Sequence, residues 1–148
     1  MNIPSRADID IYGSPEEENA CKHFLGKDMS EAELLFREES TLYQEDLMWM
    51  GPVAFRYYVK AAIHYIQSDE ASCDSDMIHA FAGILEFHLH AKPYELISIA
   101  GELLSTCDYI IQNNDRYDLT PEIYGNVRSR FAVLSGSFKR LISANKKQ

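Results

Sequence analysis

Two histidines and a glutamate between residues 79 and 90 are the side chains that come nearest to forming a metal site. Residues four apart share one face of a helix, so Glu86 and His90 could bind an ion together. His79 lies about two turns before Glu86 on the same side. Zinc sites use three or four ligands, however, and this helix provides an incomplete set. The alternative is that these histidines are hydrogen-bonded near the helix surface, and both interpretations stay open.

A cationic stripe is the second candidate. Arg56, Lys60 and His64 recur every four residues, so a helix places them on one face, where they could bind an anion. The alternative is that Arg56 and Lys60 pair with nearby acids such as Glu45 or Asp46. In that case the stripe is a solvated face without a ligand.

Motifs for other kinds of chemistry are absent from the sequence. Asp74 and Asp76 resemble the start of a calcium loop, but His79 stands where that loop needs glycine, and the final glutamate is missing. Cys21 and His23 face different sides of a helix, so they form no nucleophile–base pair. The glycine-rich phosphate-binding motifs and the nucleophile-elbow motif are also missing. We therefore predict a non-enzymatic protein without metal or cofactor.

The charge of the chain excludes one class of partner and favours another. The net charge of −9 argues against nucleic-acid binding, which depends on Lys and Arg. Residues 1–50 carry twelve acidic side chains against four basic ones, whereas residues 121–148 carry one against six. Either the basic last helix lies beside acidic neighbours, or the acidic remainder is a docking face for a basic partner.

The acidic side chains that we predict to bind this partner lie near helix ends and in the loop of residues 68–75. They are Glu38, Glu39, Glu45, Asp46, Asp69, Glu70, Asp74 and Asp76.

Length and composition place the chain in an ordinary globular class. With 148 residues, 46% of them hydrophobic, it has the size of one domain spanning 1–148, with 1–13 and 145–148 irregular. Three cysteines without a CxxC spacing indicate reduced thiols. No N-terminal apolar run follows a basic start, so we expect no signal peptide, and no apolar run approaches the ~20 residues of a membrane span. We expect a cytoplasmic protein that does not bind membranes.

Hydrophobic periodicity predicts an all-α fold, a single-domain bundle or orthogonal array of six to seven helices. The central segment is a helix over 52–67, which Pro52 begins. Its apolar stripe consists of Phe55, Val59, Ala62, Ile63 and Ile66. Tyr57, Tyr58 and Tyr65 on the same helix suit either a core or an interface.

Capping residues and breaks predict the other helix boundaries. Ser14 and Pro15 begin one helix, and a Ser30–Glu33 capping box begins the next. Helix 76–91 is apolar on nearly all sides and is therefore expected to be buried, with Gly83 allowing close approach of a second helix.

The remaining helices are predicted from two further signals. Pro93 separates helix 76–91 from a helix over 94–112, since the residue before proline avoids helical angles. Thr120 and Pro121 begin the last helix, whose apolar stripe starts at Ile123.

The segment Asp46–Val59, which contains Ala-Phe-Arg-Tyr-Tyr, resembles a stretch of a group of small bacterial all-helical proteins. The match covers about 20 residues and departs from the group's pattern where Val59-Lys60 replaces Leu-Pro. This group implies a helical fold and no particular activity. The size, acidity and helical build also resemble, in general character, bacterial immunity proteins that bind and neutralise a toxin domain.

These observations favour an immunity or antitoxin-like protein that binds a cognate basic toxin or effector domain. The alternative is a small-molecule- or metal-binding helical domain, with an enzyme as one form of it, which would use His79, Glu86 and His90 or the cationic stripe. A third interpretation is a homodimer that buries Trp49 and the tyrosines against its own copy.

Overall fold

The computed structural model describes residues 2–146, which are 80% helical and contain no strand. This confirms the all-α prediction, and six of the described helices have seven or more residues. The α-helices are α1 (Arg6–Ile9), α2 (Pro15–Phe24), α3 (Met29–Tyr43), α4 (Asp46–Trp49), α5 (Pro52–Ile66), α6 (Ser75–Ala91), α7 (Ala100–Gln112), α8 (Pro121–Tyr124) and α9 (Val127–Lys146). Short 3₁₀ helices cover Asp69–Ala71, Pro93–Ile99 and Asn114–Tyr117.

The chain divides into two compact units, one ending at Ala71 and the other beginning at Ser72. The first unit holds α1 to α5 and the second holds α6 to α9. The expectation that residues 1–148 form a single domain stays a prediction. None of the described helices combines the length and apolar character needed to cross a membrane.

Helix α5 is the centre of the first unit, as expected. All five residues of its predicted apolar stripe are buried, and α1 and α3 pack against it. Tyr58 is also fully buried, and its hydroxyl donates to the backbone carbonyls of Phe24 and Lys27, each at 2.8 Å. This hydroxyl connects α5 to the C-terminal end of α2 and thus fixes the position of one helix relative to the other.

The start of α3 differs from the prediction. Asp28, not Ser30, is the N-cap, and it forms a reciprocal capping box with Glu31. Gly26, at φ +81°, turns the chain just before this cap. Further along, Glu39 leaves helical angles at φ −158° and ψ 74°, which kinks α3 before the chain reaches α4.

The expectation of an irregular N-terminal segment needs correction, since Arg6–Ile9 form α1. A buried carboxylate fixes this segment to the first unit. Glu17 is only 4% exposed. One of its oxygens accepts the backbone N–H groups of Ile11 at 2.6 Å and Tyr12 at 3.0 Å. The other accepts the backbone N–H of Ser14 at 3.2 Å and its hydroxyl at 2.8 Å. Glu17, which the sequence indicates only as part of a helix start, therefore also anchors the residues that precede the helix.

A close backbone approach completes this anchor. The N–H of Gly51 donates to the carbonyl of Ile9 at 3.0 Å. A Cβ at position 51 would overlap the carbonyl oxygen of Asp8 and lie 2.7 Å from a carbon of Ile11. Only glycine leaves room for α1 at this place.

Helices α7 and α9 form the most extensive pairing in the second unit, and α6 also packs on α9. The expectation that α6 is buried on nearly all sides is wrong. Its buried residues end at Leu85, whereas Phe87 is 42% exposed. Gly83 makes no close helix contact, because a Cβ there would meet only the guanidinium of Arg130 at 3.9 Å.

Two other boundaries in the second unit are corrected. The last helix begins at Val127 instead of Thr120, because Gly125 adopts φ +71° and ends the short α8. Ile123 is consequently 73% exposed instead of belonging to the buried stripe. The region expected as one helix over 94–112 begins as the 3₁₀ helix and becomes α-helical at Ala100.

The predicted irregular C-terminus also needs correction in part, since α9 continues to Lys146. Residues 147–148 lie outside the described part of the chain.

Candidate functional site

The residues proposed as ligands of the alternative metal site lie beside a basic side chain. Arg130 of α9 donates to both carboxylate oxygens of Glu86, at 3.1 and 2.5 Å, and its third nitrogen lies 3.1 Å from Nδ1 of His79. A guanidinium thus stands between the two residues proposed as ligands, and His90 is exposed. Among residues 2–146, no group of three His, Cys, Asp or Glu side chains is arranged to hold a metal ion.

The cationic stripe on α5 is engaged within the protein. His64 is paired through Nδ1 with the Glu33 carboxylate. Arg56 and Lys60 are half-buried, and each has an interaction partner in the protein. This arrangement agrees better with a paired face than with an open anion site.

The tyrosines of α5 are core residues. They therefore do not provide the exposed surface that the homodimer interpretation requires of them. Tyr57, Tyr58 and Tyr65 are 6%, 0% and 5% exposed. Trp49, in contrast, is 42% exposed and remains accessible.

The eight predicted partner-binding acids divide between the two units. In the second unit, Asp74 caps α6 by accepting the N–H of Met77, and Asp76 accepts a hydrogen bond of 2.5 Å from the Tyr124 hydroxyl. Both carboxylates therefore have structural contacts.

The other six acids belong to the first unit. Glu38, Glu39, Glu45, Asp69 and Glu70 are exposed, and Glu70 lies 3.7 Å from the guanidinium of Arg37. Asp46 departs from the expectation of a surface acid, because it is 5% exposed.

The first unit carries nearly all of the net charge. Up to Ala71 there are fourteen Asp and Glu against six Lys and Arg, a net charge of −8. From Ser72 onwards there are nine against eight, a net charge of −1. The acidity of the chain is thus a property of one unit.

Within this unit, a pocket of about 120 Å³ lies where α2 meets the end of α3 and α4. Helix α2 contributes Glu16, Asn19 and His23, whose spacing of three and four places them on one face. The facing wall consists of Leu42, Glu45, Asp46 and Trp49, which follow the same helical spacing.

A histidine–aspartate pair forms the floor of this pocket. Nδ1 of His23 lies 2.6 Å from a carboxylate oxygen of Asp46, and the ring of Tyr43 packs edge-on against His23 with centroids 5.0 Å apart. Burial raises the pKa of Asp46, although the hydrogen bond and charge of His23 oppose this effect. In the neutral tautomer with its proton on Nδ1, the ring donates to Asp46 and Nε2 is an acceptor, whereas in the imidazolium both ring nitrogens donate.

The rim of the pocket is anionic and aromatic. Glu16 and Glu45 are exposed, and neither forms an ion pair with any residue in the described part of the chain. No Lys or Arg is among the residues that line the pocket. Trp49, the only tryptophan of the sequence, provides a half-exposed indole beside these carboxylates.

Sequence reasoning singled out three of the seven lining residues, Glu45, Asp46 and Trp49. It missed Leu42 and the three residues of α2, Glu16, Asn19 and His23. Their spacing on α2 was a usable signal, but their pairing with α4 depends on a contact between residues 23 positions apart.

Two wider depressions occur in the second unit. One of about 390 Å³ follows the exposed side of α7 next to Asp108 and Tyr109, and one of about 360 Å³ lies beside Lys139 and Arg140 near the end of α9. Neither brings together side chains that suggest a particular chemistry.

Comparison of the chain with protein-family models, curated proteins and solved structures gives no match. The function is therefore inferred from the residues and their geometry.

Proposed function

We propose that this protein is a non-enzymatic, protein-binding protein whose acidic first unit binds a basic partner. Its most specific form is a bacterial immunity, or antitoxin-like, protein that neutralises a cognate toxin by direct contact. The single observation that carries this proposal is the net charge of −8 within the 71 residues of the first unit. The second unit, with a net charge of −1, has no comparable excess.

Charge and exposure support binding in different ways. A concentrated negative potential attracts a basic partner and raises the rate of encounter, mainly at low salt. Affinity comes from a few well-placed contacts, among which tryptophan is prominent. Exposed Trp49 lies beside the carboxylates of Glu45 and Glu16 and offers such a contact.

The proposal is tested by capturing partners with the tagged full chain in cells that produce it. The captured protein is then purified and its affinity measured by calorimetry at low and high salt. We expect a basic protein that binds one-to-one, with an affinity that falls as salt rises. When the partner alone arrests bacterial growth, co-expression of this chain is expected to restore growth.

Two outcomes would count against the proposal. One is a purified partner with an acidic surface, and the other is an affinity that does not depend on salt. If the partner binds as expected but has no effect on growth, general protein binding is supported and the immunity role is refuted.

The pair of His23 and Asp46 favours a second candidate, a small-molecule site in which His23 acts as a general base. A histidine oriented by a buried carboxylate is a common arrangement for proton transfer. The volume of about 120 Å³ opposes this candidate, because small-molecule sites usually span roughly 300–1,000 Å³. The pocket suits the end of a side chain better than a whole metabolite.

A further inference from the structure

We propose that the pocket between α2 and α4 receives an arginine side chain of the partner, with the guanidinium against Trp49 and between Glu16 and Glu45. This assignment rests on the proposed function and names the group that the acidic unit recognises. Four observations support it: the volume of the pocket, its charge, the balance of donors and acceptors, and the aromatic wall.

The volume limits what can enter. At about 120 Å³ the pocket is well below the roughly 300–1,000 Å³ of sites that hold whole small molecules, so it suits the end of one side chain. A guanidinium, with one carbon and three nitrogens, is such a side-chain end. Its aliphatic stem would leave through the open side of the pocket.

The charge of the lining selects a cation. Glu16 and Glu45 are exposed carboxylates, and Asp46 adds a third carboxylate at the floor. His23, which is hydrogen-bonded to Asp46, is the one titratable base in the lining. An anionic group would meet uncompensated repulsion here, whereas a cation would relieve the repulsion between the carboxylates.

Hydrogen-bonding capacity narrows the choice further. Ionised carboxylate oxygens accept only, and Nε2 of a neutral His23 accepts when Nδ1 donates to Asp46. Within residues 2–146, no hydrogen bond engages Nε2. Asn19 adds a carbonyl oxygen and the only side-chain amide donor of the lining. The pocket is thus rich in acceptors, and arginine offers five N–H donors and no acceptor.

The aromatic wall distinguishes arginine from lysine. A planar guanidinium stacks on an indole and keeps its N–H groups free to donate to carboxylates, and Glu16 and Glu45 line the same pocket as Trp49. A lysine ammonium carries the same charge as a compact, strongly hydrated point and lacks this planar fit. We therefore expect arginine to bind more tightly than lysine.

Because Trp49 is the only tryptophan, its indole N–H gives a single reporter signal in the ¹⁵N-labelled full chain. The probes are N-acetyl-arginine methylamide, the corresponding lysine compound and the corresponding citrulline compound, which has the shape of arginine without its charge. We expect a saturable shift of the indole signal with arginine, a weaker affinity for lysine, and no saturable shift with citrulline.

Two variants of equal charge complete the experiment. Glu45→Gln removes a carboxylate from the pocket and is expected to weaken arginine binding by about two- to fivefold, the range for an exposed ion pair. Glu18→Gln removes an exposed carboxylate of α2 that does not line the pocket and should leave the affinity unchanged.

The assignment is overturned if arginine gives no saturable shift, if lysine or citrulline binds equally well, or if Glu45→Gln binds like the wild type. The results distinguish a failure of this assignment from a failure of the proposed function. Binding of a basic partner without a response of Trp49 to arginine would refute the pocket alone. A response to arginine without any basic partner would refute the proposed function and leave the pocket as a guanidinium site.

Discussion

Replacing Glu17 by glutamine tests how the N-terminal residues are held in place. The side chain keeps its size, but one of its two acceptor oxygens becomes an amide that donates. In the native protein, one carboxylate oxygen serves Ile11 and Tyr12, and the other serves Ser14. Whichever way the glutamine turns, one of these pairs of donors loses its acceptor.

The magnitude follows from the number of hydrogen bonds lost. A hydrogen bond to a charged group contributes about 1.5–3 kcal/mol, and a neutral one about 0.5–1.5 kcal/mol. Two donors are left without an acceptor. The segment at Ile11 and Tyr12 is exposed, however, so it can detach from Glu17 and form hydrogen bonds with water instead. We therefore expect the free energy that holds this segment in place to fall by about 2–3 kcal/mol, near the lower limit of the sum for two hydrogen bonds.

Hydrogen exchange at the amides of Ile11, Tyr12 and Ser14 measures this loss directly, because one of the two sets of donors loses its acceptor. A loss of about 2–3 kcal/mol corresponds to exchange that is roughly 30- to 150-fold faster. Glu18→Gln is the matched control, since it removes an exposed carboxylate from the same first turn of α2. The control retains the contacts of Glu17 and loses only the small interaction with the helix dipole.

The same contacts predict the response to acid. Burial raises the pKa of Glu17, but the hydrogen bonds from Tyr12, Ser14 and Ile11 outweigh it, so the pKa lies below its usual value. A carboxyl with a lowered pKa in the folded state adds stability above its unfolded pKa of about 4.3 and loses it as the pH falls through the folded pKa. Protection of Ile11 and Tyr12 should therefore persist down to about this pH and decline below it.

Unchanged exchange at all three amides, those of Ile11, Tyr12 and Ser14, in Glu17→Gln would refute this reasoning. An equal effect of Glu18→Gln would do the same, because the loss would then come from the charge and not from the hydrogen bonds.

Three further predictions concern the packing of the chain. Gly51→Ala should destabilise the first unit by about 1–3 kcal/mol in denaturant unfolding, since the new methyl overlaps the Asp8 carbonyl. Tyr58→Phe should cost about 1–2 kcal/mol in the same measurement, because two backbone carbonyls lose their donor. Iodoacetamide followed by peptide mass spectrometry should modify exposed Cys73 in the folded protein and spare Cys107, whose pKa burial raises to about 12.

Each of these predictions has a matched comparison. Gly101→Ala, in an open part of α7, should be neutral or stabilising by up to about 1 kcal/mol. Tyr94→Phe should have little effect, because Tyr94 is 67% exposed. Cys107 should become reactive only after unfolding. Equal costs at both glycines, equal costs at both tyrosines, or modification of native Cys107 would contradict the respective argument.

The helices whose start or face depends on local chemistry were predictable from the sequence. Ser14 and Pro15 define the start of α2, and the apolar stripe of α5 is buried as its spacing predicts. The start of α3 could not be predicted from the local sequence alone. Asp28 and Ser30 are both good caps with a glutamate three residues later, so only the packing of the unit decides between them.

The pocket was only partly predictable because its two walls are distant in sequence. His23 and Asp46 each follow a readable helical spacing, but nothing local shows that α2 and α4 are neighbours. For the same reason, the sequence placed His79 and Glu86 on one face but could not reveal Arg130 between them.

The most direct test of the acidic-unit proposal compares the affinity of the purified partner for two charge-reversed forms of the full chain. One form carries Glu38→Lys and Glu39→Lys in the first unit, and the other carries Asp115→Lys and Glu122→Lys in the second. All four side chains are exposed, and both forms change the net charge equally. We predict that the first pair weakens binding much more than the second. Equal losses, or a larger loss from the second pair, would contradict the proposal that the acidic first unit binds the partner.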